Sequence, residues 1–231
     1  MLTDGANPIG IVATINSPLL LKVLTPSTAQ VVIEVAAILA FALSGLFEAA
    51  RKKLDVVGVC MVMGLTAFGG GTLRDILLDR RPFFWVEHSA WLWVFLGLGV
   101  VAMHFVRARN FEPTERLIQW PDAIGLGLFT ATGTQLALAA SLPPTVAVLM
   151  GVVTAVFGGV LRDIVCNEIP QAFSDHRPYA VCAFAGGWCV VLADALAAPD
   201  WVGLSAGAAV AFLLRGLTMI FDWRLPSWRQ G

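Results

Sequence analysis

Residues 69–85 read GGGTLRDILLDRRPFFW, and residues 157–170 read FGGVLRDIVCNEIP. Leu73-Arg74-Asp75-Ile76 and Leu161-Arg162-Asp163-Ile164 stand 88 residues apart, and that offset holds well beyond the motif. Phe41 falls on Phe129, Gly45 on Gly133, Thr66-Ala67 on Thr154-Ala155, Pro82 on Pro170 and Glu34 on Asp122. The register runs without a gap over residues 34–91 and 122–179. A fixed period over so long a stretch is an internal repeat, and it organises the whole chain.

The surroundings of the repeat say what solvent it sits in. Of the 231 residues, 58% are apolar and 13% charged, where globular proteins carry about 45–50% and 25%. The mean hydropathy of +0.78 leaves more apolar surface than a chain of this size can bury, so lipid is the solvent for much of it. Seven stretches meet the roughly 20 apolar residues of a spanning helix: about 30–50, 55–79, 89–108, 121–141, 144–167, 178–198 and 201–221. Trp91, Trp93, Trp120, Trp201 and Trp223 mark several of their ends, as interfacial aromatics do.

The expected fold class is an all-α membrane protein with seven transmembrane helices, two inverted three-helix repeats plus a seventh. Three helices per repeat is an odd number, so the second copy enters the membrane from the opposite side, an architecture common among transport proteins. The expected organisation is an external N-terminal extension (1–27), a first repeat (28–110), a linker (111–119) and a second repeat (120–199). A seventh helix (200–222) and a cytoplasmic tail (223–231) complete it. Residues 1–27 lack a basic leader and a cleavage motif and read as an uncleaved tail with a short interfacial helix near 9–24. With the N-terminus outside, ten basic residues, Arg215 among them, fall on the cytoplasmic side and three (Lys22, Arg80 and Arg81) outside.

Two features carry chemistry. Gly69-Gly70-Gly71 and Gly158-Gly159 lie in mid-membrane, where consecutive glycines weaken a helix by about 1 kcal/mol each. They predict broken second and fifth helices whose backbone lines a polar cavity, the setting in which lipid tolerates irregular backbone. Close packing through small residues is the plainer alternative. The second feature is the pair of intramembrane arginines. Neighbouring residues on a helix diverge, so Arg74 and Arg162 need partners other than Asp75 and Asp163. Depth along the segments assigns Glu34 to Arg74 and Asp122 to Arg162. That leaves Asp75 and Asp163 available to water and a cation, beside the hydroxyls of Ser44, Thr66, Thr72, Thr130, Thr132 and Thr154. The plainer reading is that the arginine pairs lock helices and do no more.

Other residues point to little. Glu48 beside Arg51 and Lys52 reads as interfacial, His88 and His176 as solvated boundary residues. Gly203 and Gly207 form a G-x-x-x-G free for packing or oligomerisation. Cys60, Cys166, Cys182 and Cys189 lie in apolar runs without a C-x-x-C and read as small buried hydrophobes, with neither disulfide nor metal site. The glycine runs have neither the spacing of a dinucleotide fingerprint nor the lysine of a phosphate loop. No enzyme, cofactor or nucleic-acid face is expected.

The doubled Gly-Gly-x-x-Arg-Asp-Ile unit resembles the prokaryotic trimeric intracellular cation (TRIC) channel family, also described as glycine-transporter-like. The resemblance spans about residues 30–221. It implies seven helices, a homotrimer with one pore per protomer, permeant potassium and other monovalent cations, and a bacterial inner membrane location. It also implies kinks beside the pore at Gly69, Gly70, Gly71, Gly158 and Gly159. Two departures stand out: Phe157 replaces the first glycine in the second motif, and the N-terminal extension is long. A secondary transporter for a small neutral solute such as glycine is the second reading, and a purely structural membrane protein the third.

The topology is testable directly. Reporter fusions after Lys53, Glu115 and Arg224 should read as cytoplasmic, and those after Arg81, Pro143 and Pro199 as external. An external signal at Glu115 would break the inverted-repeat expectation.

Overall fold

Seven long helices and two single-turn helices account for the regular structure among the described residues, 28–108, 113–174 and 177–225, of the computed structural model. In chain order they are α1 (Thr28–Arg51), α2 (Val56–Leu77), α3 (Phe84–Glu87), α4 (Ala90–Ala108), α5 (Glu115–Ala139), α6 (Pro144–Val165), α7 (Gln171–Ser174), α8 (Tyr179–Ala195) and α9 (Asp200–Ile220). The described residues contain no strand. Among the described residues four helices are, by length and composition, long and apolar enough to cross a membrane: Ala29–Arg51, Val56–Leu77, Pro144–Val165 and Asp200–Ile220. The expected extension 1–27 and His176 lie outside the described residues.

Local chemistry sets the helix ends. Asp55 caps α2 by accepting from the Gly58 N–H at 2.8 Å. The ends of α2 and α6 repeat one another at an offset of 88. Leu78, Asp79 and Arg80 donate back to the Arg74, Ile76 and Asp75 carbonyls, while Cys166, Asn167 and Glu168 do so to Arg162, Ile164 and Asp163. Asp79 (φ 49°) and Asn167 (φ 58°) take the left-handed step that such a helix end requires. α5 starts at Glu115, earlier than the expected 121, and runs through Pro121. Proline normally opens a helix, but here it sits in the second turn, and residues 115–119 of the expected linker are helical.

α5 is the hub. It packs against α1, α6, α8 and α9. This explains how a helix carrying Gln119, Asp122, Thr130, Thr132 and Thr134 on buried positions stays in the bundle: its neighbours shield it from lipid. At its middle, Phe129 stacks on its repeat counterpart Phe41, ring centroids 5.4 Å apart and planes 24° apart.

The glycines correct the expectation of broken helices. α2 and α6 are continuous through Gly69–Gly71 and Gly158–Gly159. Where the helices cross, a Cβ on Gly70 would collide with the Thr154 carbonyl oxygen, and one on Gly158 with the Thr66 carbonyl oxygen. The two contacts are reciprocal, residue for residue, under the 88-residue offset. Keeping the helical hydrogen bonds satisfies every backbone group, and dropping the side chain lets two backbones touch, so packing wins over breakage. Gly45 and Gly133 follow suit: their absent Cβ atoms leave room for the Thr66 and Thr154 hydroxyls, which would lie 2.8 and 2.6 Å away. The G-x-x-x-G of α9 is also spent inside the chain, with Gly207 against Val190 and Gly186 of α8.

The crossing predicts a sharp contrast. Gly70→Ala and Gly158→Ala should each cost about 1–3 kcal/mol or more by overpacking backbone that cannot yield. Gly64→Ala, whose Cβ meets nothing within 4 Å, should be neutral or stabilising by up to about 1 kcal/mol. Thermal unfolding in detergent checks all three.

Candidate functional site: two buried arginine locks

Arg74 and Arg162 are almost wholly buried, at 0% and 1% exposure, and each is met by carboxylates. Arg74 Nη2 lies 2.6 Å from Glu34 Oε1 of α1, and Nε donates to Asp75 Oδ1 at 2.9 Å. In the second repeat Arg162 Nη1 lies 2.6 Å from Asp122 Oδ1 of α5, and Nε donates to Asp163 Oδ1 at 2.8 Å. The structure therefore brings together Arg74 with Glu34 and Arg162 with Asp122. Gly71 and Gly159 lie beside the locks, but a Cβ there would make only ordinary contacts, 3.9 Å from Glu34 Oε1 and 3.4 Å from Asp122 Oδ1.

Two expectations about the aspartates fail. Asp75 and Asp163 do bind their neighbouring arginines, because the long arginine stem folds back: Arg74 reaches Asp75 Oδ1 through both Nε and Nη2, and Arg162 reaches Asp163 Oδ1 through Nε. Nor are they available to a cation. Asp75 Oδ2 accepts from the Phe84 N–H at 3.4 Å, and Asp163 Oδ2 from the Gln171 N–H at 2.8 Å, so both carboxylates also tie down the segment after the helix. Arg80 Nη1 approaches Asp75 at 3.9 Å.

The hydroxyls other than Thr72 are buried. Thr66, Thr130, Thr132 and Thr154 each donate to the carbonyl four residues earlier in their own helix. Ser44 donates to the Ile118 carbonyl and accepts from Arg162 Nη1, so a first-repeat hydroxyl serves the second-repeat lock. Thr72 accepts from the Trp85 indole at 3.1 Å and lines an apolar cavity of about 470 Å³ with Gly69, Leu73, Phe157 and Leu161.

The sequence reading missed three participants. Tyr179 donates its hydroxyl to Asp122 Oδ2 at 2.6 Å, and the Arg215 guanidinium sits 4.8 Å over the Tyr179 ring. Arg215 was counted with the cytoplasmic bases, but it is 1% exposed. An arginine inside the run AFLLRGLT should have been read by the rule applied to Arg74 and Arg162. Tyr179 is the single tyrosine of the chain, and its place just past Pro178, level with Asp122, was the available signal. Glu48, expected at the interface, is 2% exposed.

Outside the helices, charge is paired at the surface. Lys52 bonds Glu168, which joins the α1–α2 and α6–α7 turns and holds the Glu168 carboxyl below the usual range. Arg177 and Arg224 bond Asp222 and lower its carboxyl likewise.

A family model described as glycine transporter matches residues 31–107 and again residues 119–195, the two matches starting and ending 88 residues apart. The chain belongs to this family. The UPF0126 inner membrane protein YadS of Escherichia coli K12 is 34% identical over 194 residues, covering 81% of this chain and 90% of its own. The UPF0126 membrane protein YvgT of Bacillus subtilis is 29% identical, covering 84% and 94%. Among solved structures, the TRIC trimeric intracellular cation channel orthologue from Rhodobacter sphaeroides superposes with a TM-score of 0.78 at 36% identity, over 85% of this chain and 100% of that one. A structure solved to explain conductance through TRIC cation channels gives a TM-score of 0.76 at 33% identity, over 87% and 97%. The family is thus the TRIC family that the doubled motif resembles, and its members here are multi-pass membrane proteins.

The locks predict a double-mutant signature. Arg74→Met alone strands Glu34 and Asp75 and should cost about 3–5 kcal/mol; Glu34→Gln, which leaves Arg74 on Asp75, should cost less, and the double change should recover only part of the loss because Asp75 keeps its charge. Asp122→Asn and Arg162→Met should behave alike, and Tyr179→Phe should cost about 1.5–3 kcal/mol, the loss of one bond to a charged acceptor. Melting of the purified variants gives the coupling energies.

Proposed function

We propose that the protein is a cation channel, conducting potassium along a path inside each protomer, between two three-helix repeats inserted with opposite orientation. The observation that carries the reading is the pair of register-equivalent arginine locks on either side of the reciprocal Gly70–Thr154 and Gly158–Thr66 crossing, in a fold shared with TRIC cation channels at TM-scores of 0.76–0.78. The proposed topology has seven crossings, an external N-terminus and a cytoplasmic C-terminus, in a bacterial inner membrane. The proposed assembly is a homotrimer, on the trimeric description of the Rhodobacter sphaeroides orthologue.

The chemistry of the lining supports cations. Thr66, Thr130 and Thr154 have committed their hydroxyl protons to backbone carbonyls, and Ser44 and Thr132 likewise. What they can still offer is oxygen lone pairs. A row of acceptors can replace part of a cation's hydration shell and gives an anion nothing. In the conformation described here the crossing brings backbone against backbone, so conduction requires α2 and α6 to part at Gly69–Gly71 and Gly158–Gly159. Asp75 and Asp163, at opposite ends of the path, hold the segments after α2 and α6 and act as posts for that movement rather than as ion ligands.

A second reading, a transporter for a small solute such as glycine, draws on the description of the family model and on the presence of a lock in each repeat. Flux separates the two. Purified protein in planar bilayers should give unitary potassium currents above about 10⁶ ions per second, beyond the reach of an alternating cycle with μs–ms steps. Liposomes that pass no potassium but accumulate glycine down an imposed ion gradient would replace the channel with the transporter.

A further inference from the structure

Along the last turns of α1 a polar stripe continues past the second lock. Ser44 and Glu48 on α1, and Lys52 just past its end, recur every four residues and so follow one side. Ser44 meets Arg162, and Lys52 meets Glu168. Glu48 stands between these layers, close enough to Cys166, four residues beyond Arg162, for its charge to act on that thiol. It is thus one helical turn beyond the Ser44–Arg162 contact and one turn before the surface.

Its hydrogen bonding is half complete. Glu48 is 2% exposed. Oε1 receives Arg51 Nη2 at 2.9 Å, but Oε2 is buried and no group among the described residues donates to it. A buried carboxylate oxygen is costly without a donor or a cation to meet it. Arg51 Nε is likewise buried without an acceptor among the described residues and does not reach Oε2 in this conformation. Arg51 is already drawn to Glu48, Glu168 and Glu115 together, and Lys52 is engaged by Glu168.

We propose that Glu48 binds a partly dehydrated monovalent cation through Oε2, making it the residue that admits and selects cations at the α1 end of the path. The proposal rests on the channel reading for its role in conduction. Binding itself does not depend on that reading. The Lys52–Glu168 pair, joining two turns across the mouth, would cover the bound ion from outside.

The test has two arms on the full-length purified protein. In the first, thermal unfolding in detergent is compared in potassium chloride and choline chloride at matched ionic strength. The wild type should melt higher in potassium, since an ion bound to the native state stabilises it, and E48Q should lose the difference. Asp222→Asn, an exposed carboxylate paired with Arg177 and Arg224, should keep it. In the second, reversal potentials across a potassium chloride gradient should show the cation-over-anion permeability ratio of E48Q falling by about three- to tenfold at low salt, where a fixed charge is least screened. If E48Q does not assemble, E48D keeps the charge but withdraws the oxygen, and it should shrink the potassium difference. A wild type that melts alike in both salts, or a Glu48 variant that keeps the wild-type potassium difference and reversal potential, overturns the proposal. A wild type that shows the potassium difference and passes no current sinks the channel reading and leaves the site standing.

Discussion

A guanidinium in the middle of a bundle surrounded by lipid cannot be left alone, and that constraint fixes how the two halves of this protein are put together. Arg74 and Arg162 are each held by a carboxylate from the preceding long helix and by the carboxylate next in sequence. The first bond sets the rotation of α1 against α2, and of α5 against α6. The second spends the neighbouring aspartate, whose remaining oxygen then fastens the chain as it leaves the helix, at Phe84 or Gln171. One charge thus determines a helix pair and the loop that follows it. The net stabilisation of such a buried pair is small, because desolvation offsets most of the attraction, but the penalty for any other arrangement is large. Its contribution is uniqueness of packing.

The glycines serve the same end. Once the arginines have oriented each helix pair, the two pairs must approach through α2 and α6, and the reciprocal contacts at Gly70 and Gly158 allow backbone to meet backbone. Phe41 on Phe129 closes the equivalent contact between α1 and α5. Matching contacts of this kind, in which i meets j + 88 while j meets i + 88, are what a two-fold relation between repeats produces. A crossing built on glycine is tight when closed, with Leu161 of α6 seated over Gly69 of α2 beside the backbone contacts. Small residues at the crossing suit the opening movement proposed above.

Much of this was written in the sequence. The offset of 88 gave the helix pairing, and charge at membrane depth gave Glu34 and Asp122 as the arginine partners, since few acids stand at the right depth. The glycine runs were less legible. Weak helix propensity and backbone contact both select glycine, and only the partner's position, the Thr154 and Thr66 carbonyls, decides between them. The adjacent Arg–Asp bond was missed because helix geometry separates the Cβ atoms of i and i+1, whereas a side chain as long as arginine reaches round. Tyr179 and Arg215 were missed for a different reason. Both lie outside the gapless register or at its edge, and the repeat drew attention to what is duplicated.

What is not duplicated separates the two locks. Around Arg74 the additional cation is Arg80, from the turn after α2, at 3.9 Å from Asp75. Around Arg162 the same register position holds Glu168, which reaches out to Lys52 instead, and the extra cation comes from α9 as Arg215, through the ring of Tyr179. Ser44, a first-repeat residue, adds a hydroxyl to Arg162, and Tyr179 adds another to Asp122. The second lock therefore gathers α1, α5, α6, α8 and α9, while the described contacts of the first are confined to α1, α2 and the segment up to α3. Parting α2 from α6 at the glycines strains both, but it must break more cross-helix bonds at the second. A symmetric scaffold has in this way acquired unequal ends, and the end that is harder to release is the one whose helices also carry Glu48 toward the surface.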